Sequence, residues 1–81
     1  MGRVAGHQDL EGQLKQLGYA VRAIRKARGL SQEAPAEAAQ IDRSHMGKIE
    51  RGERNVTVLN LLRIAAALDG SAADLLCLAK L

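Results

Sequence analysis

The stretch from Leu30 to Leu62, LSQEAPAEAAQIDRSHMGKIERGERNVTVLNLL, constrains this chain more than any other. Ser31 suits the cap of a helix running to about Ala39, and Asp42 suits the cap of one running to about Glu50. Each side chain can accept from an orphan N–H of the first turn. Only Gln40 and Ile41 are left to join the two helices. A joint this short forces them to cross steeply. Thr57, beyond a polar loop, caps a further helix.

Two helices so joined, spanning residues 31–51, have the grammar of a helix-turn-helix, in which the second helix can project into a DNA groove. On that helix Met46 and Ile49 fall on one side and Arg43, Ser44, Gly47 and Lys48 on the other. An outward face of Arg, Ser, Gly and Lys offers donors with little bulk, as a helix laid in the major groove requires. Any solvated helix face can carry such residues, so this pattern alone leaves both readings open.

Composition narrows the choice. Eighty-one residues suffice for one domain with a modest core. The chain is 47% hydrophobic but 1% aromatic, so that core must be built from Leu, Ile, Val and Ala. The net charge of +3 says little, but its distribution says more. Arg43, Lys48, Arg51, Arg54 and Arg63 face only Glu50 and Glu53 between positions 43 and 63. Cys77 is the single cysteine, and His7 and His45 have no neighbouring ligands at metal spacing, so no metal site or disulfide is expected. No nucleophile-base constellation or phosphate loop points to an enzyme or a cofactor, and no small-molecule ligand is expected. The absence of a signal-like segment and of an apolar run of about 18 residues predicts a cytoplasmic protein with no membrane partner.

Taken in order, residues 1–8 read as a flexible N-terminus and 9–81 as one domain. Leu10, Leu14, Leu17, Val21 and Ile24 form the apolar stripe of a first helix reaching about Arg28. Gly12 and Gly18 each cost up to about 1 kcal/mol inside a helix, which predicts fraying or a separate turn before Gly18. Gly29 suits the left-handed residue that ends this helix. Pro35, counted from Ser31, removes a helical hydrogen bond and loosens the first turn of the second helix. The fourth helix, from Thr57 to Gly70, is the most apolar and is expected to be the central buried one. Ser71 and Asp74 have capping-box spacing for a fifth helix at 72–80. Its Leu75, Leu76, Leu78 and Leu81 exceed the needs of one small core, so one face can pack inward while the rest forms a dimer contact; the alternative is that all four pack inside the monomer.

The run IRKARGLSQEAPAEAAQIDRSHMGKIERGERNVTVLNLLRIAAAL closely resembles the XRE family of helix-turn-helix regulators, the lambda-repressor and Cro-like domains. The tokens RGLSQE, IDRS and KIERGERN, in that order, carry the resemblance across about Leu17 to Leu76. It implies an all-α, five-helix domain with helices 2 and 3 as the helix-turn-helix. It also implies homodimeric binding to double-stranded DNA at a pseudo-palindromic operator, with transcription as the regulated process. DRSHMGKIERGERNVTVLNLLRIA looks most like restriction-modification controller proteins; phage-type repressors and antitoxins are the other small members. A protein-interaction adaptor on the same fold is the alternative.

Residue by residue, the resemblance implies base reading by Arg43, Ser44 and Lys48. It places Gln32, Arg51, Arg54 and Asn55 against the sugar-phosphate backbone, and it pairs Arg25 with Glu50 as a structural ion bridge. Three positions depart from the family pattern. Pro35 replaces a core Leu, which predicts a kinked second helix. Gln40 replaces Gly in the turn, where a positive φ would cost about 1 kcal/mol. His45 replaces Tyr and is expected to be packed or half-exposed.

Overall fold

Among the described residues, each of the five helices ends the same way, with one residue in the left-handed region and two backbone hydrogen bonds that close the last turn. The computed structural model describes residues 12–81 as α1 (Gln13–Ala27), α2 (Glu33–Ala38), α3 (Arg43–Glu50), α4 (Val58–Ala67) and α5 (Ala72–Leu78). The expectations for residues 1–8 and for the first helix before Gly12 lie outside the described residues. The left-handed residues at these ends are Gly29, Gln40, Gly52, Asp69 and Lys80. After α2, for example, Ile41 N–H donates to Ala36 O and Gln40 N–H to Glu37 O, the double closure of a Schellman motif.

These ends keep the connections short. Gln40 has φ 59°, so the turn takes the conformation expected of Gly with a side chain in place. At the end of α4 the left-handed residue is Asp69, not Gly70. Gly70 instead supplies the N–H that bonds Ala65 O. Asp tolerates this region better than most side chains, so the turn closes one residue earlier than a search for Gly suggests.

Three of the sequence-placed caps hold as written. Asp42 accepts from Ser44 N–H at 3.0 Å, Thr57 from Asn60 N–H at 3.1 Å, and Ser71 with Asp74 makes a full capping box. Ser31 also accepts, from Ala34 N–H at 3.4 Å, although Gln32 is already helical and regular helix starts at Glu33. That shift changes the reading of Pro35. It is the third residue of α2, and the first intrahelical bond of α2 runs from Ala36 N–H to Gln32 O. Its nitrogen therefore belongs to the first turn, where an N–H has no helical acceptor to lose. Its ring is fully buried and fills the core position.

α1 packs on α3 and α5, α2 on α3 and α4, and α4 on α5. The core formed between them is aliphatic: Val21 from α1, Met46 and Ile49 from α3, Ile64 and Leu68 from α4 and its cap, and Leu75 from α5 are among its largest members. α1 is continuous from Gln13 through Gly18, with no separate turn.

α4 departs from expectation. Ile64, Ala65 and Leu68 are buried and Leu61 packs beside them, but Val58 is 73%, Leu59 56% and Leu62 50% exposed. Among the described residues α2 and α5 are the main helices packed on it, so one stripe at helical spacing is buried while Val58, Leu59 and Leu62 stay outside.

Candidate nucleic-acid interface

α3 rests on α1 through two glycines. A Cβ on Gly18 would lie 2.5 Å from the carbonyl oxygens of both Ile49 and Glu50, so the end of α3 sits directly on α1 backbone. Gly52, with φ 73°, meets α1 three residues earlier. A Cβ there would stand 2.8 Å from Lys15 Cα. The helical cost of Gly18 is thus the cost of a close crossing. Its partners, Ile49 and Glu50, lie far away in sequence, beyond the reach of local pattern; the isolated Gly in a helix is the one available signal.

A buried ion pair fixes the same end of α3. Arg25 Nε donates to Glu50 Oε2 at 2.8 Å and Nη2 to Oε1 at 3.0 Å, both residues being buried. Arg25 Nη1 donates to Leu30 O, and Leu30 N–H returns a bond to Arg25 O. The fork of Arg25 therefore holds α3 and the α1–α2 turn together. Gln32 Nε2 adds a 3.1 Å bond to Glu50 Oε1. The side chain that the resemblance sets against a phosphate thus has a partner within the fold, one that the sequence reading missed.

The opposite side of α3 is open. Asp42 caps its first turn, and Arg43 and Ser44 are exposed there, with Lys48 half-exposed one turn on. Arg43 Nη1 comes within 3.7 Å of Glu33 Oε1, but both side chains are about two-thirds exposed, so the pair holds Arg43 only weakly. Gln32, Asp42, Arg43, Ser44, Gly47 and Arg51 border an open cleft of about 440 Å³ along this face. His45 is half-exposed, as expected.

At the C-cap of α3, Arg51 Nε and Nη2 donate to the carboxylate of Glu53, in the loop beyond, at 3.0 and 3.2 Å. This hydrogen bonding holds the Glu53 carboxyl below its ordinary value, with the charges of Arg51, Lys48 and Arg54 acting in the same direction; the same bond and then the charge of Glu53 raise Arg51. Arg54 and Asn55 follow, both exposed. The sequence reading counted Glu53 only as an opposing charge.

The four leucines assigned to a dimer contact separate. Leu75 is 1% exposed and belongs to the core, Leu76 is half-buried, and Leu78 and Leu81 are each 48% exposed. The exposed residues of α4 therefore offer more apolar surface than α5 does. Cys77 is exposed. Among the described residues no group of three His, Cys, Asp or Glu could hold a metal ion, and no helix is long and apolar enough to cross a membrane.

Known proteins resemble this chain in sequence and fold. A family described as helix-turn-helix matches residues 21–75. The control protein C.SmaI of Serratia marcescens is 45% identical over 56 residues, which cover 69% of this chain and 67% of the relative. C.MunI, a control protein from a Mycoplasma species, is 40% identical over 52 residues, 63% of this chain and 70% of the relative. Among solved structures, the restriction-modification controller protein C.AhdI of Aeromonas hydrophila superposes with a TM-score of 0.75 at 45% identity, over 76% of this chain and 94% of that one. With the five-helix architecture and the capped, outward-facing α3, these matches show that the chain belongs to the helix-turn-helix family of DNA-binding transcription regulators, the XRE-type group its motif resembles.

Proposed function

We propose that this chain is a cytoplasmic regulator of the restriction-modification controller type, without catalytic activity or cofactor, that binds a pseudo-palindromic operator as a homodimer with α3 in the major groove. The observation that carries the reading is the division of α3: its inner side is seated on α1 backbone and pinned by Arg25 and Glu50, while Arg43, Ser44 and Lys48 stand outward. A reading helix must be held at a set angle while its base-facing side chains stay available. The similarity to control proteins supports the subtype.

In this reading Arg43 is the principal base contact, Ser44 and Lys48 read beside it, and Arg54 and Asn55 approach phosphates. Gln32 acts through Glu50 and orients α3. Leu78 of α5 and Leu81 beyond its end, with Leu76 beside them, contribute to the dimer contact, and Val58, Leu59 and Leu62 of α4 are available to enlarge it. Comparing the solution mass of Leu78→Asp and Leu62→Asp variants assigns the contact to one helix or the other.

The reading is tested by selecting bound sequences from a random duplex library at moderate salt. A pseudo-palindrome with half-sites one helical turn, about 34–36 Å, apart supports it. Binding without an enriched motif, lost as salt rises, would leave only non-specific electrostatics.

A further inference from the structure

Arg51 is the C-cap of α3, from where an extended side chain would reach beyond the end of the helix. Its guanidinium instead lies back along α3. Nη1 is 3.2 Å from the point that a Cβ on Gly47 would occupy, one turn earlier, and Gln32 Oε1 is 3.6 Å from that same point. Helical side chains lean towards the N-terminus, but only a residue without a Cβ at 47 leaves room for the guanidinium there.

Glu53 holds the other edge. Its two oxygens take Nε–H and one Nη2–H, two of the five N–H groups of the side chain. The two hydrogens of Nη1 and the second of Nη2 have no acceptor among the described residues. One hydrogen of Nη1 and the second of Nη2 point the same way and make the forked edge that matches guanine O6 and N7. Arg43, Gly47 and Arg51 are four residues apart in turn, so they form one row along the helix, and all three border the same cleft.

A carboxylate is a poor neighbour for a phosphate contact. Glu53 neutralises Arg51 and repels the DNA backbone, and sequence-independent affinity depends on net positive charge. Base reading loses less to it, because a fork held by a carboxylate keeps its free edge and has fewer conformations to give up on binding. We propose that Arg51 reads a guanine, with Glu53 as its buttress and Gly47 as the slot in which it lies. It is thus a specificity-determining partner of Arg43 and not the backbone contact that the family resemblance implies. The proposal rests on the DNA-reading function proposed above.

The test compares the wild type with Glu53→Gln, Arg51→Lys and Gly47→Ala on the selected duplex and on a scrambled one at fixed salt. Thermal melts confirm that each variant is folded. Glu53→Gln removes a negative charge near DNA, yet it is expected to lower the ratio of specific to scrambled affinity by about tenfold, the order of one bidentate base contact. Arg51→Lys keeps the charge but not the fork and is expected to lose at least as much. Gly47→Ala, which displaces a flexible guanidinium and no backbone, moves the ratio the same way. If Glu53→Gln tightens binding to both duplexes alike and Arg51→Lys keeps the ratio, Arg51 is a phosphate contact and the proposal is overturned, while the DNA-reading function stands. If the wild type selects no sequence at all, both fall.

Discussion

The inward and outward sides of α3 belong to one eight-residue helix, yet they are built on opposite terms. Inward, every contact has a single geometry: carbonyls against a residue with no Cβ, a two-point bond between Arg25 and Glu50, and Met46 and Ile49 with no exposed surface to spare. Outward, Arg43 has one long exposed ion pair and Ser44 only its backbone bond to Asp42. Contacts of the first kind fix an angle and fail abruptly when altered. Contacts of the second kind are screened by solvent and are exchanged for a ligand at little cost. The difference lets a small domain hold a helix rigidly while keeping that helix's outer side chains available.

The comparison breaks most readily at Glu50. Glu50→Ala leaves buried Arg25 without its carboxylate partner, with only its bond to Leu30 O, and removes the acceptor of Gln32; it is expected to lower stability by about 3–5 kcal/mol in chemical denaturation. A loss no larger than that of an outward substitution would show that the inward side is not built as described.

Gly18→Ala sharpens the same point because intrinsic preference and packing oppose each other. Alanine favours the helix by about 1 kcal/mol, but its Cβ meets two carbonyl oxygens of α3, and overpacking of that kind costs about 1–3 kcal/mol. A net loss of stability is expected, with a further loss of DNA affinity as α3 is displaced. A variant more stable than the wild type would mean that the crossing is looser than its geometry.

The smallest expected effect lies in the turn. Gln40→Gly relieves a positive φ, and should raise stability by up to about 1 kcal/mol, less what Gly gains in freedom when unfolded. Unchanged affinity for DNA would show that the strain is incidental to reading.

What could be read from the chain follows the range of each interaction. Capping bonds span two or three residues, so Asp42, Thr57 and the Ser71–Asp74 box were legible outright, and with them the order of all five helices. Burial was legible where one stripe of a helix is apolar, as in α1. It was not legible in α4, where apolar residues surround the axis and only neighbouring helices decide which of them are covered. Leu75 illustrates the same limit, since composition marked an excess of leucine but could not say which one the core would take. Arg25 and Glu50 came through resemblance, because nothing local links residues twenty-five positions apart. Glu53 was passed over because a carboxylate in a basic loop lowers the charge count, and its bond to Arg51 emerges only once the turn at Gly52 is formed.

The central claim, that the outward side of α3 reads bases while the loop beyond it holds the backbone, is tested most directly by measuring Arg43→Ala and Arg54→Ala on the selected operator and on random DNA across a range of salt. Arg43→Ala is expected to weaken the operator by about 1–3 kcal/mol more than random DNA. Arg54→Ala should weaken both alike and reduce the salt slope by about one unit. Equal losses on both DNAs from Arg43→Ala, with the slope falling as it does for Arg54→Ala, would reduce Arg43 to a phosphate contact and contradict the account.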